Sequence, residues 1–527
     1  MIRHAFITVT DYNFFPGTLA TVNSVRAFAP EADIFVVQND KLSLSAPQCA
    51  CFEGIDRVRL LPSAAFAGRG RYMNAWELKA YAMHDLCTGY DVIVGIDSDC
   101  LLCAPVDAEI VRCREQGGFL GGQDGDGAAY DASYKIYGIT TPARNPRYMS
   151  TSLFFCAVND SNRRILRRWA DCCNAAVFNG TGQHPGHGDQ GVLNAVLFAA
   201  DRSSRVVLLD NRLWSQHWIF WDTTIEYCGG VFLNRSADGL AQRAMHCGGA
   251  EKYWVAEHRD RVLTTNPLQT YPYVWFLAMF WFGAYRNWRT DPYQILPPAS
   301  HHLVEDLVNF LPQIMQVYPA ARDLWDGVTD QLIDRAFNGI PRAMSLGGGS
   351  LSELMALIAE RPAIRRYVEI GSYEGGSILA LALRFANRDI TFHSVESFMG
   401  NLDGTMDGHA LPSRQNFLDN LARYPGLRVH LTPGDSPLAA ALFDDGSVDC
   451  VFIDGCHETP RVLRDIDAWL PKLSPIGLLA GDDYDWESVR AAVSQRFPCV
   501  RSTLSGTIWW VNNALAMIDR DREAVAA

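Results

Sequence analysis

The sequence predicts an α/β protein with two parallel-sheet domains and a mostly helical connector. Short apolar runs that end on acidic or glycine residues recur in both halves of the chain, as buried parallel strands do. The chain has 527 residues, too many for one hydrophobic core. Its middle carries no chemical motif. We therefore expect domains at residues 1–255 and 346–527, with residues 256–345 as the connector.

Composition and charge narrow the classes of function. A net charge of −13 argues against a nucleic-acid partner, because phosphate contacts need clustered Lys and Arg. The 14 cysteines are scattered, and Cys100 and Cys103 have no second pair at zinc spacing. We expect buried free thiols in a reducing cytoplasm. The N-terminus has no long apolar stretch of the secretory type, so we expect a cytoplasmic protein.

The first half opens with a strand–helix–strand pattern at residues 4–10, 19–28 and 33–37. Asp11 and Tyr12 begin a polar and aromatic turn directly after the first strand. Its aromatic side chains either stack on a nucleotide base or cover the edge of the sheet, and the sequence does not decide between the two.

A buried strand over residues 92–96 ends on Asp97 and Asp99. At the carboxyl end of a parallel strand the chain turns, so both carboxylates can reach one divalent ion. Oxygen ligands suit Mg²⁺ or Mn²⁺, which usually also bind substrate phosphates. The alternative is a surface loop with two solvated acids.

Two later motifs add polar groups to this half. Asp189 and Gln190 open an apolar helix, although Asp189 alone could be a simple N-cap. His246 precedes a glycine-rich loop and Lys252. Glycine lets backbone approach a pyrophosphate, and the Lys adds a point charge.

Together these motifs resemble the GT-A glycosyltransferases of family 8, the glycogenin and galactosyltransferase type, over roughly residues 1–255. The resemblance implies a Rossmann-like domain that transfers a sugar from a UDP-sugar with metal and with retention. It implies that Asp97, Asp99 and His246 hold Mn²⁺ (or Mg²⁺) and that Gln190 and Asp189 are catalytic. The nucleotide-sugar ligands that it implies are Thr8, Asp11, Tyr12, Lys79, Ser98, Gly249 and Lys252.

Two positions depart from that family's pattern. Tyr253 replaces the proline of the Lys-Pro-Trp motif, and Ser150-Thr151-Ser152 replaces Asn-x-Gly. The second change lies where the donor sugar is expected. The sequence therefore leaves the donor open, and it also allows a non-catalytic domain that binds carbohydrate or nucleotide.

Residues 271–288 are densely aromatic, but their apolar core is too short to span a membrane. They predict a buried or interface helix, with docking on a membrane surface as the alternative. Residues 302–337 show helical spacing, and residues 347–350 predict a flexible joint.

The second half predicts five strands of a doubly wound sheet, followed by an antiparallel hairpin at residues 499–513. Gly371 and Gly375 allow a tight turn after the first of these strands, and Glu396 ends the second, where it can accept hydrogen bonds from ribose hydroxyls. The remaining strands end on acidic sequences, which contain Asp435, Asp454, His457, Asp482 and Asp483.

This half, roughly residues 346–515, resembles class I S-adenosylmethionine-dependent methyltransferases, a second Rossmann-like fold. It looks most like the Mg²⁺-dependent O-methyltransferases of macrolide sugars. The resemblance implies Mg²⁺ at Asp454, Asp482 and Asp483, with His457 as the general base. A metal lowers the pKa of a sugar hydroxyl, and imidazole takes the proton. The implied S-adenosylmethionine ligands are Glu369, Gly371, Gly375, Glu396, Asp435 and Asp454.

The leading hypothesis is a bifunctional enzyme of glycan assembly, for example in polysaccharide biosynthesis. It would take a UDP-sugar donor, transfer the sugar to a saccharide or glycolipid acceptor, and methylate a sugar hydroxyl. One alternative is an active methyltransferase with a non-catalytic binding domain. Another is a scaffold that recruits partners through the aromatic segment. Peripheral attachment at the inner face of a membrane and homo-oligomerisation stay open.

Overall fold

The structure is a computed structural model. It describes residues 2–69, 75–124, 148–178, 188–199, 205–214, 225–247, 252–265, 270–283, 292–328, 348–400 and 411–512. The chain divides into two compact units. Unit 1 contains residues 1–307 and 313–324, and unit 2 contains residues 308–312 and 325–527.

Unit 1 combines one large mixed sheet with flanking helices and two small sheets. Its described strands are β1 His4–Thr10, β2 Asp33–Gln38, β3 Val58–Pro62, β4 Val92–Ile96, β5 Cys100–Leu102, β6 Phe119–Gln123, β7 Met149–Ala157, β8 Val206–Leu209, β9 Ile225–Cys228, β10 Val231–Asn234, β11 Leu240–Ala241 and β12 Ala244–His246. The helices that alternate with these strands are α1 Phe15–Phe28, α2 Ala46–Ala50, α3 Ala75–Asp85, α4 Asp107–Gln116, α5 Asp160–Phe178, α6 Gly188–Phe198 and α7 Asn211–Trp214. The helical region that follows contains α8 Ala256–Thr265, α9 Thr270–Trp281, α10 Pro292–Ile295, α11 His302–Asn309 and α12 Leu311–Val317.

The large sheet of unit 1 has the strand order β3-β2-β1-β4-β7-β6-β8. Strand β1 is parallel to β2 and to β4, with Ile7 opposite Phe35 on one side and Gly95 on the other. Strand β7 is antiparallel to both of its neighbours. The predicted strand–helix–strand opening is confirmed, and it places the carboxyl ends of β1 and β4 at the same edge of the sheet.

A short antiparallel pair, β5 with β12, lies next to that edge. It sets His246 opposite Cys100, and the backbone N–H of Cys247 donates to the carbonyl of Asp99 at 2.8 Å. This pairing places His246 next to the residues that follow β4.

The aromatic segment of the middle region is a buried helix where it is described. Residues 272–281 of α9 are all buried, and the side chain of Asn23 donates to the carbonyl of Met279 at 2.6 Å. Trp275 Nε1 also donates to the carbonyl of Leu102 at 3.0 Å. These bonds join the helical region to α1 and to β5. Among the described residues, no helix has both the length and the hydropathy that crossing a membrane requires.

Unit 2 is a doubly wound sheet with helices on both faces. Its described strands are β13 Arg366–Ile370, β14 Thr391–Glu396, β15 Val429–Pro433, β16 Val448–Ile453, β17 Leu473–Gly481, β18 Arg501–Ser502 and β19 Trp509–Asn512. Its helices are α13 Gly348–Ala359, α14 Gly376–Arg384, α15 Arg414–Ala422, α16 Ser436–Ala440, α17 Thr459–Trp469 and α18 Glu487–Arg496.

The sheet of unit 2 has the order β15-β14-β13-β16-β17-β19-β18. Five strands are parallel, and β19 is antiparallel to β17 and to β18. Ile370 lies between Val395 and Ile453, so the loops after these strands meet at one edge. The predicted α/β class, the doubly wound sheet and the final antiparallel hairpin are confirmed.

Candidate active sites

The first cluster consists of Asp97, Asp99 and His246. One ligand atom from each lies within 4.8 Å of the others. His246 Nε2 is 3.3 Å from Asp99 Oδ1 and 3.9 Å from Asp97 Oδ2. The backbone N–H of Asp97 donates to the carbonyl of Ser152 at 2.7 Å, which ties the turn to β7. Two carboxylates and an imidazole are a donor set that fits Mn²⁺ or Mg²⁺.

Two buried lysines neutralise this cluster. Lys79 Nζ lies 2.6 Å from Asp97 Oδ1 and 2.9 Å from Asp189 Oδ2, and it donates to the carbonyl of Thr151 at 3.1 Å. Lys252 Nζ lies 2.5 Å from Asp99 Oδ2. An ammonium has three N–H donors, so the donors of Lys79 are all engaged within the protein. Lys79 therefore bridges two acids in this structure.

These charges set the protonation of the acids. Burial alone would raise the pKa of Asp99, but His246 and Lys252 outweigh it and hold that pKa below its usual range. Burial raises the pKa of Asp97 against the opposing charge of Lys79. Burial would lower the pKa of Lys79, but Asp189 and Asp97 raise it, so the ammonium stays charged.

Asp189 and Gln190 lie at the start of α6, as the sequence predicts, and both are buried. Gln190 Oε1 accepts the backbone N–H of Thr151 at 3.1 Å, and its Nε2 donates to Asp124 Oδ2 at 2.7 Å. These bonds fix the amide of Gln190 beside β7. Asp189 is joined to Asp97 through Lys79, and Gln190 bonds to Thr151, whose carbonyl accepts from the same lysine.

The other predicted nucleotide-sugar ligands differ in how they are engaged. Thr8 is buried, and its hydroxyl has no hydrogen-bond partner among the described residues. Asp11 Oδ1 accepts the N–H groups of residues 13 and 14 at 3.0 Å each, so this carboxylate shapes the turn into α1. Tyr12 lies in the same turn, and Ser98 lies between the two cluster acids. Gly249 lies outside the described residues.

The second cluster consists of Asp454, His457 and Asp483, whose ligand atoms lie within 4.8 Å of one another. His457 Nε2 is 2.8 Å from Asp483 Oδ2. The indole ring of Trp486 lies 4.6 Å from the imidazole ring, between centroids. Residues after β16 and residues after β17 build this cluster, because the two strands are parallel neighbours.

Asp482 does not join that group of three, although the resemblance implies that it is a ligand. Its backbone N–H donates to the carbonyl of Ile453 at 3.0 Å, and Asp483 adopts a left-handed φ of 57°. This turn carries the side chain of Asp483 to His457. The Asp482 side chain is still close enough for its charge to raise the pKa of Asp454, and its ligation stays a prediction.

Two buried carboxylate oxygens of this site, Asp454 Oδ2 and Asp482 Oδ1, have no hydrogen-bond partner among the described residues. Burial, and then the neighbouring acids, raise the pKa of Asp454 well above its usual value. The same causes raise the pKa of Asp482 to about 6. Buried carboxylate oxygens that lack a hydrogen-bond partner fit a divalent cation, which would supply the missing positive charge.

The structure contains the tight glycine turn that the sequence predicts after β13. Gly371 has a φ of 87°, and a Cβ there would clash with the carbonyl of Asp454. Gly375 is the N-cap of α14 and has a φ of 91°. Glu396 accepts the N–H groups of Tyr373 at 2.8 Å and Phe398 at 2.9 Å, so its carboxylate joins two strand-end loops.

Glu369 lies beneath this turn, fully buried. Ser377 Oγ donates to it at 2.6 Å and Tyr367 Oη at 3.1 Å. Burial raises the pKa of Glu369 to about 7. A carboxyl with these internal partners supports the turn from below, so its predicted contact with a cofactor stays a prediction.

A cavity of about 310 Å³ opens at the carboxyl edge of the unit 2 sheet. Gly371, Glu396, Asp435, Asp454 and His457 line it. Asp483 lines it as well, so six of the predicted residues share one cavity.

Four residues at these sites are not among those that the sequence predicts. Arg464 Nη2 lies 2.9 Å from Asp435 Oδ1, and Asp465 also lines the cavity. Trp486 packs on His457, and Asp124 holds Gln190. The Tyr-Asp-Trp sequence after Asp483 was the only signal for Trp486, because an aromatic residue beside an acidic strand end can contact a ligand.

The two units thus define a fusion of two α/β domains, each with a cluster of Asp and His at the carboxyl edge of a sheet. Residues 368–484 match the family model described as a methyltransferase domain. This match confirms the resemblance of the second half to methyltransferases. No curated protein matches the sequence.

Several solved structures are similar to parts of the chain. The apo structure of the bifunctional glycosyltransferase WbbM is 15% identical, with a TM-score of 0.38, over 56% of this chain and 52% of WbbM. The chain thus spans about half the length of WbbM. The galactosyltransferase LgtC, in complex with donor and acceptor sugar analogues, is 15% identical over 49% of this chain and 94% of its own, with a TM-score of 0.34. The O-methyltransferase NovP is 18% identical over 40% and 97%, with a TM-score of 0.28.

Proposed function

We propose that this chain is a bifunctional enzyme of glycan assembly. Unit 1 transfers a sugar from a UDP-sugar to a saccharide or glycolipid acceptor, with metal and with retention. Unit 2 transfers a methyl group from S-adenosylmethionine to a sugar hydroxyl, with Mg²⁺. Covalent fusion keeps the product of one site at a raised effective concentration near the other.

The observation that carries the proposal is the pair of separate clusters, one in each unit. Asp97, Asp99 and His246 form the first, and Asp454, His457 and Asp483 form the second. Each lies where the strand ends of an α/β sheet meet, which is where such sheets bind ligands. A metal in either cluster would neutralise charge on a phosphate or a hydroxyl oxygen.

In unit 1, Asp97, Asp99 and His246 would hold the metal against the UDP diphosphate. The ammonium of Lys252 lies beside Asp99 and supplies positive charge for the leaving phosphate. Gln190 is fixed by two hydrogen bonds next to β7. Its amide thereby presents a preset polar surface to the donor sugar.

In unit 2, Asp454 and Asp483, with Asp482 beside them, would hold Mg²⁺. His457 would take the proton of the sugar hydroxyl, and the contact of its Nε2 with a carboxylate oxygen of Asp483 at 2.8 Å would orient the imidazole. The glycine turn at Gly371 leaves room for the cofactor in the adjoining cavity. S-adenosylmethionine would supply the methyl group to the deprotonated oxygen, with S-adenosylhomocysteine as the leaving group.

Methyl transfer is tested with labelled S-adenosylmethionine, Mg²⁺ and a panel of sugar acceptors. We expect incorporation by the wild type and its loss in His457→Ala. His430→Ala is the control, because His430 is exposed and lies on β15, whereas His457 lies in the loop after β16. Equal incorporation by wild type and His457→Ala would refute the assignment of the base.

Sugar transfer is tested by UDP release from a panel of UDP-sugars with Mn²⁺. The Asp97→Ala/Asp99→Ala variant should lose release, while Asp56→Ala, whose side chain is 85% exposed, should keep it. If no donor is turned over but UDP and Mn²⁺ still bind, unit 1 is a binding domain. Without that binding, sugar transfer is refuted, and methyl transfer stands or falls on its own assay.

A further inference from the structure

The backbone of residues 252–254 is held by three side chains of the helical region. We call His258, Ser300 and His302 the clamp. The N–H of residue 252 donates to His258 Nδ1 at 3.2 Å. The carbonyl of residue 253 accepts from His302 Nε2 at 3.0 Å, and that of residue 254 accepts from Ser300 Oγ at 2.5 Å. Three consecutive residues are therefore each fixed by one bond.

The side chains of the same segment are packed from both sides. The ring of Tyr253 is 1% exposed and meets Tyr273 edge to face at 5.0 Å. The ring of Trp254 lies 5.8 Å from Phe276. On its other side it covers Gly17, where a Cβ would clash with the indole. The segment can therefore shift only if the helical region shifts with it.

This anchoring matters because Lys252 belongs to the segment. Its Nζ lies 2.5 Å from Asp99 Oδ2 and donates to the carbonyl of Cys247 at 2.5 Å. The side chain is flexible in principle, so the backbone must be fixed for the charge to keep its place. A displacement of about 1 Å at a reacting centre can lower a rate about 100-fold.

We propose that the clamp of His258, Ser300 and His302 is a positioning device for the donor site of unit 1. It sets Lys252 beside the metal cluster, and it makes the helical region part of that site. This inference rests on the proposed sugar transfer.

The clamp also accounts for Tyr253, which stands where the resembling sequences carry proline. Proline fixes φ and has no N–H, so it stiffens a segment by itself. Tyrosine does not restrict its backbone in this way. Here burial of the ring and the bond from His302 provide the restriction instead.

The test uses His302→Ala and His302→Gln in the full chain. A glutamine Nε2 can take the place of the imidazole Nε2 as a donor to the carbonyl of Tyr253. Asn23→Ala is the matched control. It removes another buried bond, between α1 and the helical region, 2.6 Å to the carbonyl of Met279, far along the chain from residues 252–254.

Two measurements are made on each variant. Amide hydrogen exchange is followed in peptides that cover residues 252–255, and the affinity for UDP with Mn²⁺ is measured by calorimetry. We expect His302→Ala to speed exchange and to weaken UDP binding about fivefold to tenfold, the effect of one lost hydrogen bond. His302→Gln should restore most of both, and Asn23→Ala should change neither.

Unchanged exchange in His302→Ala would overturn the clamp. Faster exchange with unchanged UDP affinity would overturn its role at the donor site. Equal losses in Asn23→Ala would show only a general effect of stability, and would also overturn the proposal. If the wild type binds no UDP, the proposed donor site itself fails, and the clamp then has no nucleotide to position.

Discussion

Replacing Gly371 by alanine is expected to destabilise unit 2 and to abolish cofactor binding. Gly371 has a φ of 87°, and an added Cβ would lie 2.7 Å from the carbonyl carbon of Asp454 and 2.8 Å from Gly455 Cα. The left-handed conformation costs a residue with a Cβ about 1–2 kcal/mol. The clash with backbone adds about 1–3 kcal/mol, since no flexible side chain can give way. The sum is about 2–5 kcal/mol.

Gly446→Ala separates these two costs. Gly446 has a φ of 71°, but no atom lies within 4 Å of its added Cβ. This variant therefore carries the conformational cost alone, about 1–2 kcal/mol. For a unit of this size, 1 kcal/mol shifts the melting temperature by about 2–4 °C.

The assay is thermal unfolding with and without S-adenosylhomocysteine, together with calorimetric titration of that ligand. We expect Gly446→Ala to melt a few degrees lower and to bind normally. Gly371→Ala should melt lower still and lose binding, because the clash moves the carbonyl of Asp454 at the cavity wall. Equal melting temperatures for the two variants, with normal binding, would refute the close approach of β13 to β16.

Three further predictions concern titratable side chains of the two units. His457→Gln should lower the rate of methyl transfer about 100-fold to 10,000-fold and leave S-adenosylmethionine affinity within about twofold, as kinetics and calorimetry would show. Burial raises the pKa of Glu369 to about 7 from 4.5, so its contribution to stability is complete below pH 4.5 and is lost as the pH rises through 7. The free energy of unfolding of Glu369→Gln, measured in urea, should not fall over that pH range. Lys79→Met leaves Asp97 and Asp189 unpaired, so it should destabilise unit 1 by about 3–5 kcal/mol in the same assay.

Two strands of unit 2 follow apolar runs of the sequence almost to the residue. The run at residues 448–453 forms Val448–Ile453, and the run at residues 391–395 lies within Thr391–Glu396. The run at residues 477–480 marks only part of Leu473–Gly481. Strands of a parallel sheet are buried on both faces, so they form continuous apolar runs that stop at polar ends. The same rule located Asp97 and Asp454, because both directly follow such a run.

Contacts between distant segments could not be predicted in this way. Gln190 meets Asp124, and His246 reaches Asp99 only because β12 pairs with β5. Neither contact leaves a periodic pattern in the sequence, since side-chain pairing depends on how the segments pack. Asp482 and Asp483 could not be told apart from the sequence either, because the left-handed backbone at Asp483 decides which carboxylate contacts the imidazole of His457.

The two clusters differ in how their charge is balanced. In unit 1, Lys79 pairs with Asp97 and Lys252 pairs with Asp99. Burial would raise the pKa of Asp99, but the neighbouring positive charge outweighs burial and holds this pKa below its usual range. In unit 2, burial and neighbouring acids instead raise the pKa of Asp454. Among the described residues that line its cavity there is no lysine, and the two arginines there, Arg461 and Arg464, pair with Glu458 and Asp435. A cation entering unit 1 therefore competes with two ammonium groups, whereas one entering unit 2 meets oxygens of Asp454 and Asp482 that have no hydrogen-bond partner among the described residues.

It follows that metal binding in unit 1 should depend on the nucleotide. A diphosphate brings negative charge that the displaced ammonium groups can bind, so Mn²⁺ and UDP should bind cooperatively. We expect UDP to raise the Mn²⁺ affinity of a His457→Ala/Asp483→Ala variant at least about tenfold in calorimetry. Unit 2 should bind Mg²⁺ without any nucleotide, as an Asp97→Ala/Asp99→Ala variant can report. Equal Mn²⁺ affinity of unit 1 with and without UDP would show that the lysines do not compete with the metal.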